Sequence, residues 1–164
     1  MKNTPEVSRS EGAPSQKLEQ QLCFALYSAS LTMTKLYQSH LKLLGLTYPQ
    51  YLVMLALWEK DGVTVSEVGR RVQLESGTLS QLLKRLEQAC FISRVRDTGH
   101  DERRVIIRLT EAGRELESRA SGVPAAMTGE IGVQFETLAG LRDGAKHVQE
   151  KIVQALSRRG NDKS

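Results

Sequence analysis

Long apolar runs are absent from this sequence, and so are the residue spacings that carry metal chemistry. No stretch approaches the roughly 18 consecutive apolar residues of a membrane-spanning helix. The segment MKNTPEVSRSEGAPSQ at the start has no apolar core of a signal peptide. Three scattered histidines, and two cysteines without a CxxC partner, give no zinc-ligand spacing. We therefore expect a cytoplasmic protein without metal or cofactor, whose cysteines are free thiols.

The composition that remains fits a single globular unit. Of 164 residues, 40% are hydrophobic, which is enough for a core, and 26% are charged, which is ordinary. The net charge of +4 is compatible with a nucleic-acid partner but does not prove one. Residues 66–108 carry nine Lys or Arg against six Asp or Glu, which fits either a phosphate-facing surface or an ordinary solvated one.

Apolar residues at helical spacing predict long helices at both ends of the chain. Residues 1–15, rich in Ser, Pro, Glu and Gly, are predicted to be a disordered tail. A helix follows over about 16–44, capped by Ser15 and ended by Gly45. The last helix covers about 135–157.

The middle of the chain alternates short helices with β-branched segments. The fold class is therefore mainly α with a small β-hairpin. The predicted elements are a helix over 48–60 capped by Thr47, an edge segment at 63–65, a helix from Ser66, a helix over 77–90 capped by Ser76, strands at 91–96 and 104–109, and a helix over 110–121 that 122–132 continues with a bend at Pro124.

Two short helices joined by a tight turn and followed by a basic hairpin indicate a winged helix-turn-helix. Small hydrogen-bonding side chains near the start of the second helix suit base edges in the major groove. Two cations further along suit phosphates, and arginines near the hairpin tip suit the minor groove. The candidate DNA-binding residues are Ser76, Gly77, Thr78, Ser80, Gln81, Lys84, Arg85, Arg103 and Arg104. The pattern alone also fits a protein-interaction module that binds no DNA.

Residues 101–115, DERRVIIRLTEAGRE, resemble the wing signature of the MarR family, in which Asp-x-Arg-Arg precedes a strand and then Leu-Thr-x-x-Gly. This resemblance gives Asp101 a structural place in the wing. SGTLSQLLKRLEQ resembles the family's recognition helix, and the likeness runs from about Leu18 to the C-terminus. The resemblance implies a homodimer whose interlocked terminal helices, 16–46 and 110–164, carry two winged helix-turn-helix regions, 47–109. These regions would read a near-palindromic operator in double-stranded DNA.

Within that family, LCFALYSASLTMTKLY followed by LGLTYPQYLVMLALWE resembles the OhrR-type sensors of organic hydroperoxides. Those sensors carry a reactive cysteine in the first helix, surrounded by tyrosines. The matching positions are Cys23, Tyr27, Tyr37 and Tyr48. The resemblance implies a thiolate that attacks a peroxide, with phenols that donate hydrogen bonds to its sulfur. It predicts a transcriptional repressor, not an enzyme, that releases its operator when Cys23 is oxidised.

The second thiol, Cys90, is predicted to be buried and structural. Some OhrR-type sensors carry a resolving cysteine in the C-terminal helices, but no cysteine follows Cys90 here. We therefore expect Cys23 to form a sulfenic acid and then a mixed disulfide with a small thiol, or to be overoxidised. Three alternatives stay open: a MarR-type repressor relieved by a non-covalent ligand such as a phenolic compound, a thiol peroxidase that uses Cys23, and a dimerisation scaffold that binds no DNA.

Overall fold

The computed structural model describes residues 16–96 and 104–161, which fold into seven α-helices, one short 3-10 turn and three strands. The helices are α1 (Leu22–Lys42), α2 (Tyr48–Glu59), α3 (Val65–Val72), α4 (Ser76–Gln88), α5 (Glu111–Ala120), α6 (Val123–Ile131) and α7 (Phe135–Asn161). The strands are β1 (Val63–Thr64), β2 (Ile92–Arg96) and β3 (Val105–Leu109).

The three strands form one antiparallel sheet in the order β1-β3-β2. The long pairing joins β2 to β3, with Ile92 opposite Leu109, and the short β1 pairs Val63 with Ile107. The predicted hairpin and edge strand are therefore confirmed, and so is the mainly α fold with a small wing. The predicted hairpin loop, with Asp101 and Arg103, lies outside the described residues, as does the predicted tail 1–15.

The core forms where α2 is enclosed by α3, α4, the start of α5 and the sheet, which together with α2 are called the head below. Val53, Met54 and Leu57 of α2 are completely buried, as expected for a run that is apolar on nearly all sides. Leu83 of α4 and Ile107 of β3 close the core from the side of the hairpin. The same core continues into α1, α5 and α6 through Leu41, Leu116 and Met127, and α4 and the wing are held against it.

Three helix starts differ from the prediction by one to six residues. The chain is extended at Gln21, so α1 begins at Leu22 after a 3-10 turn. Helix α3 begins at Val65 and not at the predicted Ser66, and the hydroxyl of the preceding Thr64 accepts a hydrogen bond from the Glu67 amide at 3.1 Å. Glu75 is the extended residue before α4, so the predicted cap Ser76 is instead its first helical residue.

The segment 122–132 does not continue α5 but forms the separate helix α6, which has Pro124 in its first turn and ends at Gly132 with φ 67°. The predicted burial of Cys90 is wrong. Helix α4 ends at Gln88, and Cys90 takes a left-handed conformation with φ 59°. That reversal leaves the thiol exposed and turns the following Phe91 partly into the core.

Candidate DNA-reading surface and thiol site

Helix α4 presents one polar face to solvent and one apolar face to the core. Its buried residues are Leu79, Leu82, Leu83 and Leu86. Every described candidate on this helix is exposed, namely Ser76, Gly77, Thr78, Ser80, Gln81, Lys84 and Arg85. The predicted reading surface is thus one continuous face, with small polar residues at the helix N-terminus and cations one to two turns later.

The turn between α3 and α4 is held by close backbone packing. Gln73 ends α3 in the left-handed conformation with φ 55°, and the Leu74 amide donates to the Gly69 carbonyl at 3.1 Å. A Cβ on Gly69 would come within 3.2 Å of Leu79 on α4. The glycine therefore allows the close approach of α3 and α4 that a helix-turn-helix requires.

An ion pair joins the recognition helix to the wing. Arg94 of β2 donates through Nε to Glu87 Oε2 of α4 at 2.8 Å. This hydrogen bond lowers the pKa of the Glu87 carboxyl and raises the pKa of the Arg94 guanidinium. Sequence reasoning missed the pair, because two residues seven apart across a turn leave no periodic signal.

A cleft of about 510 Å³ opens between the start of α3, helix α4 and the wing. Ser66, Ser80, Arg94 and Arg104 contribute polar groups to its walls. Arg104, which was predicted to contact the minor groove, is exposed and directly precedes β3. Hydroxyls and guanidiniums are suitable partners for phosphate oxygens. The cleft therefore extends the polar face of α4 toward the wing.

The base of the wing is fixed by the start of α5. The Thr110 hydroxyl donates to the Cys90 carbonyl at 2.6 Å and accepts from the Gly113 amide at 3.0 Å. Trp58 Nε1 donates to the Gly113 carbonyl at 2.8 Å. The Leu-Thr-x-x-Gly motif thus positions the wing base by joining the end of α4, the start of α5 and the end of α2.

Asp61 adds a second attachment at the start of the sheet. Its Oδ1 accepts hydrogen bonds from the Gly62 amide at 2.7 Å and from the Leu109 amide at 2.8 Å. Oδ2 lies 3.5 Å from Arg114 of α5. This carboxylate was also missed from the sequence, where Asp61-Gly62 indicates only a turn.

The predicted thiol-site residues fall into two groups in one chain. Cys23 and Tyr27 are exposed and one helical turn apart on α1. Tyr37 and Tyr48 pack together, with ring centroids 5.1 Å apart. Tyr37 follows Cys23 by fourteen positions on α1, which corresponds to a rise of about 21 Å along the helix axis. A single chain therefore does not bring the thiol to this tyrosine pair.

A third tyrosine, Tyr51, belongs to the pair. Its ring centroid lies 5.9 Å from that of Tyr37, and only 2% of its surface is exposed. Burial raises the pKa of all three phenols, and neighbouring phenols raise those of Tyr37 and Tyr51 further. The three hydroxyls therefore stay protonated at neutral pH and can donate hydrogen bonds. Tyr51 follows Tyr48 by three residues in a predicted helix, so its spacing was a usable signal.

These raised pKa values predict late titration of three of the four tyrosines. In an alkaline titration followed at 295 nm, we expect the folded protein to ionise three phenols above their usual pKa near 10 and the denatured protein to ionise all four together. Because the folded pKa values are raised, the folded protein loses stability as pH rises above about 10. Titration of Tyr37, Tyr48 and Tyr51 at the ordinary phenol pKa in the folded protein would contradict the packing of this cluster.

Apolar side chains on α1 and α7 are exposed in the single chain. Leu22 and Leu26 of α1 face Leu141 of α7 across a mainly apolar groove of about 370 Å³. Further exposed apolar residues on the two helices are Leu31, Met33, Phe135, Ile152, Val153 and Leu156. A contiguous apolar surface of this kind is typical of an interaction surface. In the described segments no helix is long and apolar enough to cross a membrane, and no three His, Cys, Asp or Glu side chains are grouped to hold a metal.

Comparison with known proteins gives the family. A family model described as transcriptional regulator SarA/Rot matches residues 35–119. The organic hydroperoxide resistance transcriptional regulator of Bacillus subtilis strain 168 is 49% identical over 113 residues, which are 69% of this chain and 76% of the relative. The HTH-type transcriptional regulator TtmR of Methylorubrum extorquens strain PA1 is 42% identical over 137 residues, which are 84% of this chain and 70% of the relative.

Among solved structures, AbfR of Staphylococcus epidermidis is 33% identical, covering 84% of this chain and 94% of that chain, with a TM-score of 0.70. AbfR has also been solved reduced on DNA, overoxidised on DNA and with a disulfide formed. The matching family and these relatives are transcriptional regulators, which confirms the predicted class over the enzyme alternative. This chain belongs to the SarA/Rot family of MarR-like winged-helix transcriptional regulators.

Proposed function

We propose that this chain is a cytoplasmic DNA-binding repressor that senses organic hydroperoxides through oxidation of Cys23 and then releases its operator. The observation that carries the proposal is the placement of an exposed thiol on a helix with exposed apolar side chains, in a chain with a cluster of one buried and two partly buried, protonated phenols. The name of the Bacillus subtilis relative and the redox states in which AbfR was solved support this chemistry.

Helix α4 is the DNA-reading element of the proposal. Its exposed residues Ser76, Gly77, Thr78, Ser80 and Gln81 enter the major groove, where small polar side chains contact base edges. Lys84 and Arg85 neutralise phosphates, while the Arg94–Glu87 pair holds the wing beside them. Arg104, together with Arg103 outside the described residues, reaches toward the minor groove.

The apolar faces of α1 and α7 form the interface of a homodimer. Leu141 is 66% exposed and Leu22 is 56% exposed, which is costly in water for two leucines that share one groove. A two-fold dimer buries the same face on both subunits and sets two α4 helices at a fixed spacing. Sedimentation equilibrium of the wild type should therefore give about twice the chain mass.

A two-fold dimer also offers a way to bring the thiol and the tyrosines together. Cys23 and Tyr37 each lie seven residues from Ser30 on α1. If two α1 helices cross antiparallel near Ser30, Cys23 of one chain lies opposite Tyr37 of the partner subunit. The phenols that serve a thiol then come from the other chain. Oxidation of Cys23 in one subunit therefore directly alters the contacts of the tyrosine cluster in its partner.

The chemical step is a two-electron oxidation of Cys23. The thiolate attacks the outer oxygen of the hydroperoxide, the O–O bond breaks, and the alcohol leaves after taking up a proton. Sulfur is oxidised to the sulfenic acid and the peroxide is reduced to the alcohol. Donation from the protonated phenols stabilises the attacking thiolate without adding a second charge.

Operator release follows when a small thiol condenses with the sulfenic acid, giving a mixed disulfide and water. Overoxidised AbfR has been solved on DNA, so we assign release to the bulk of the mixed disulfide rather than to a compact oxyacid. The added group at the subunit junction moves α1 against its partner. That movement changes the spacing of the two reading heads.

An electrophoretic mobility shift on DNA upstream of the chain's own gene tests the proposal. The reduced protein should bind, and cumene hydroperoxide followed by cysteine should release it, with dithiothreitol restoring binding. Complexes that survive although mass spectrometry shows Cys23 as the mixed disulfide would overturn the sensing function. Absence of any shifted complex with the reduced protein would overturn DNA binding and favour the scaffold alternative.

Replacement of Gln81 separates base reading from backbone binding. Gln81→Ala should weaken operator binding about 5- to 150-fold, because one good base contact is worth about 1–3 kcal/mol, while binding to unrelated DNA changes little. Gln88→Ala is the matched control, since Gln88 is exposed at the opposite end of the same helix. Equal losses in the two variants, measured by fluorescence anisotropy, would contradict the assigned reading surface.

A further inference from the structure

We propose that Tyr51 and Trp58 are positioning residues that transmit the state of the Cys23 site to the recognition helix and the wing. The inference rests on the proposed function and names the part of the molecule through which that function is exerted. Neither residue was predicted from the sequence to belong to the thiol site or to the DNA-reading face, and Trp58 lies outside both.

An unbroken series of aromatic contacts starts at the tyrosine cluster. Ring centroids are 5.1 Å apart for Tyr48 and Tyr37, 5.9 Å for Tyr37 and Tyr51, and 6.1 Å for Tyr51 and Trp58. The last pair meets edge to face at 67°, a preferred geometry for aromatic rings. The series runs from α1 to the far end of α2, which is the end nearest the wing.

The series continues into the DNA-reading head through a hydrogen bond and a tight contact. Trp58 Nε1 donates to the Gly113 carbonyl at 2.8 Å. The Cα of Gly113 is pressed against the Phe91 carbonyl so closely that a Cβ has no room there. Thr110, three residues earlier, holds the carbonyl of Cys90. A shift of Trp58 therefore acts on the junction where α4 ends and β2 begins.

The rings have space for a second arrangement. A cavity of about 280 Å³ lies beside Tyr51 and Trp58, with Leu55, Ala120 and Pro124 among its other walls. The rest of the head is a continuous buried core, which resists gradual deformation and moves between discrete packings. When the modified Cys23 of the partner subunit displaces Tyr37, Tyr51 follows into this space. Trp58 then moves with Tyr51 and displaces the start of α5 through its hydrogen bond to the Gly113 carbonyl.

Trp58 is the single tryptophan of the chain, so its fluorescence reports on this movement directly. In the wild type, cumene hydroperoxide followed by cysteine should shift the emission maximum or intensity, and dithiothreitol should reverse the change. Cys23→Ser should show no change. Unchanged emission in wild type that has released its operator would overturn the inference.

Trp58→Phe tests the coupling itself, because phenylalanine keeps an apolar ring and lacks the N–H that reaches Gly113. We expect the reduced variant to bind the operator within about threefold of wild type. Its oxidation-induced loss of affinity should be smaller by about 2- to 30-fold, the range by which single residues modulate coupling between sites. Intact-mass spectra should show Cys23 modified to the same extent in both proteins. Gln88→Ala is the control, since Gln88 is exposed at the end of α4 and lies outside the aromatic series, and it should respond like wild type.

The outcomes separate this inference from the proposed function. If wild type keeps its operator after Cys23 is modified, the proposed function fails. If wild type releases and Trp58→Phe releases equally, only the role of Trp58 fails. Should Trp58→Phe not bind when reduced, two other measurements test the role of Trp58. The wild-type fluorescence should change on oxidation, and Tyr51→Leu, which removes the ring while leaving Trp58 in place, should lose less affinity on oxidation than wild type. Unchanged fluorescence, or a wild-type loss in Tyr51→Leu, would overturn the inference.

Discussion

Cys23→Ser should bind its operator like the wild type and lose the response to organic hydroperoxides. Serine nearly matches cysteine in size, and residue 23 is exposed on α1, so neither the head nor α4 is disturbed. The serine hydroxyl is not ionised at neutral pH and does not attack a peroxide. Wild-type affinity should fall by about 5- to 150-fold after oxidation, the usual range of allosteric coupling, whereas the variant should stay within twofold of its reduced value.

Cys90→Ser is the matched control for that experiment. Cys90 is the other thiol of the chain and is also exposed, so it too can meet oxidant. Because its side chain lies at the end of α4 and away from the α1 face, the variant should respond like wild type. Loss of the response in Cys90→Ser would transfer sensing to that thiol. A normal response in Cys23→Ser would instead support a repressor relieved by a non-covalent ligand.

The sequence predicted those elements whose apolar spacing is regular. The all-round apolar run of α2, the leucine stripe of α4 and the β-branched hairpin follow from local pattern, and the structure has each of them. Cys90 was misjudged because apolar neighbours suggested burial. A single left-handed residue after α4 reverses the chain there, and no periodic signal marks a left-handed cysteine.

The contacts that fix the site connect distant parts of the chain. Asp61 contacts residue 109, Trp58 contacts Gly113, and Glu87 pairs with Arg94 across a turn. Side chains of these types are common on ordinary surfaces, so type alone does not identify them. The thiol-site set was found only through its resemblance to a family. Its arrangement needs the length of α1, which separates Cys23 from Tyr37 within one chain.

The wing signature gains a physical explanation from its glycine. Gly113 is the third residue of α5, where alanine is ordinarily the better helix former. Here the Cα faces the Phe91 carbonyl, and any Cβ overlaps that oxygen. The glycine is therefore needed for the close approach of α5 to β2, not for turn geometry. That approach also places the Gly113 carbonyl within reach of Trp58.

Gly113→Ala should consequently be among the most damaging small substitutions in the head. The added methyl group forces α5 away from the Phe91 backbone, and strain of this kind in a packed region costs about 1–3 kcal/mol. The free energy of unfolding, measured by urea titration, should fall by that amount, and Tm should fall by several degrees. Because the same displacement moves the end of α4 relative to β2, operator affinity should fall even where the variant is folded.

Gly129→Ala is the control that separates steric overlap from the general effect of replacing a helical glycine. Gly129 lies inside α6, is exposed, and has no atom within 4 Å of the position of a Cβ. That variant should gain up to about 1 kcal/mol from helix propensity and keep its operator affinity. If Gly113→Ala unfolds at the same urea concentration as Gly129→Ala, the packing of α5 on Phe91 does not hold the wing. The angle between recognition helix and wing would then depend on the Glu87–Arg94 pair, the remaining side-chain link between α4 and β2 described above.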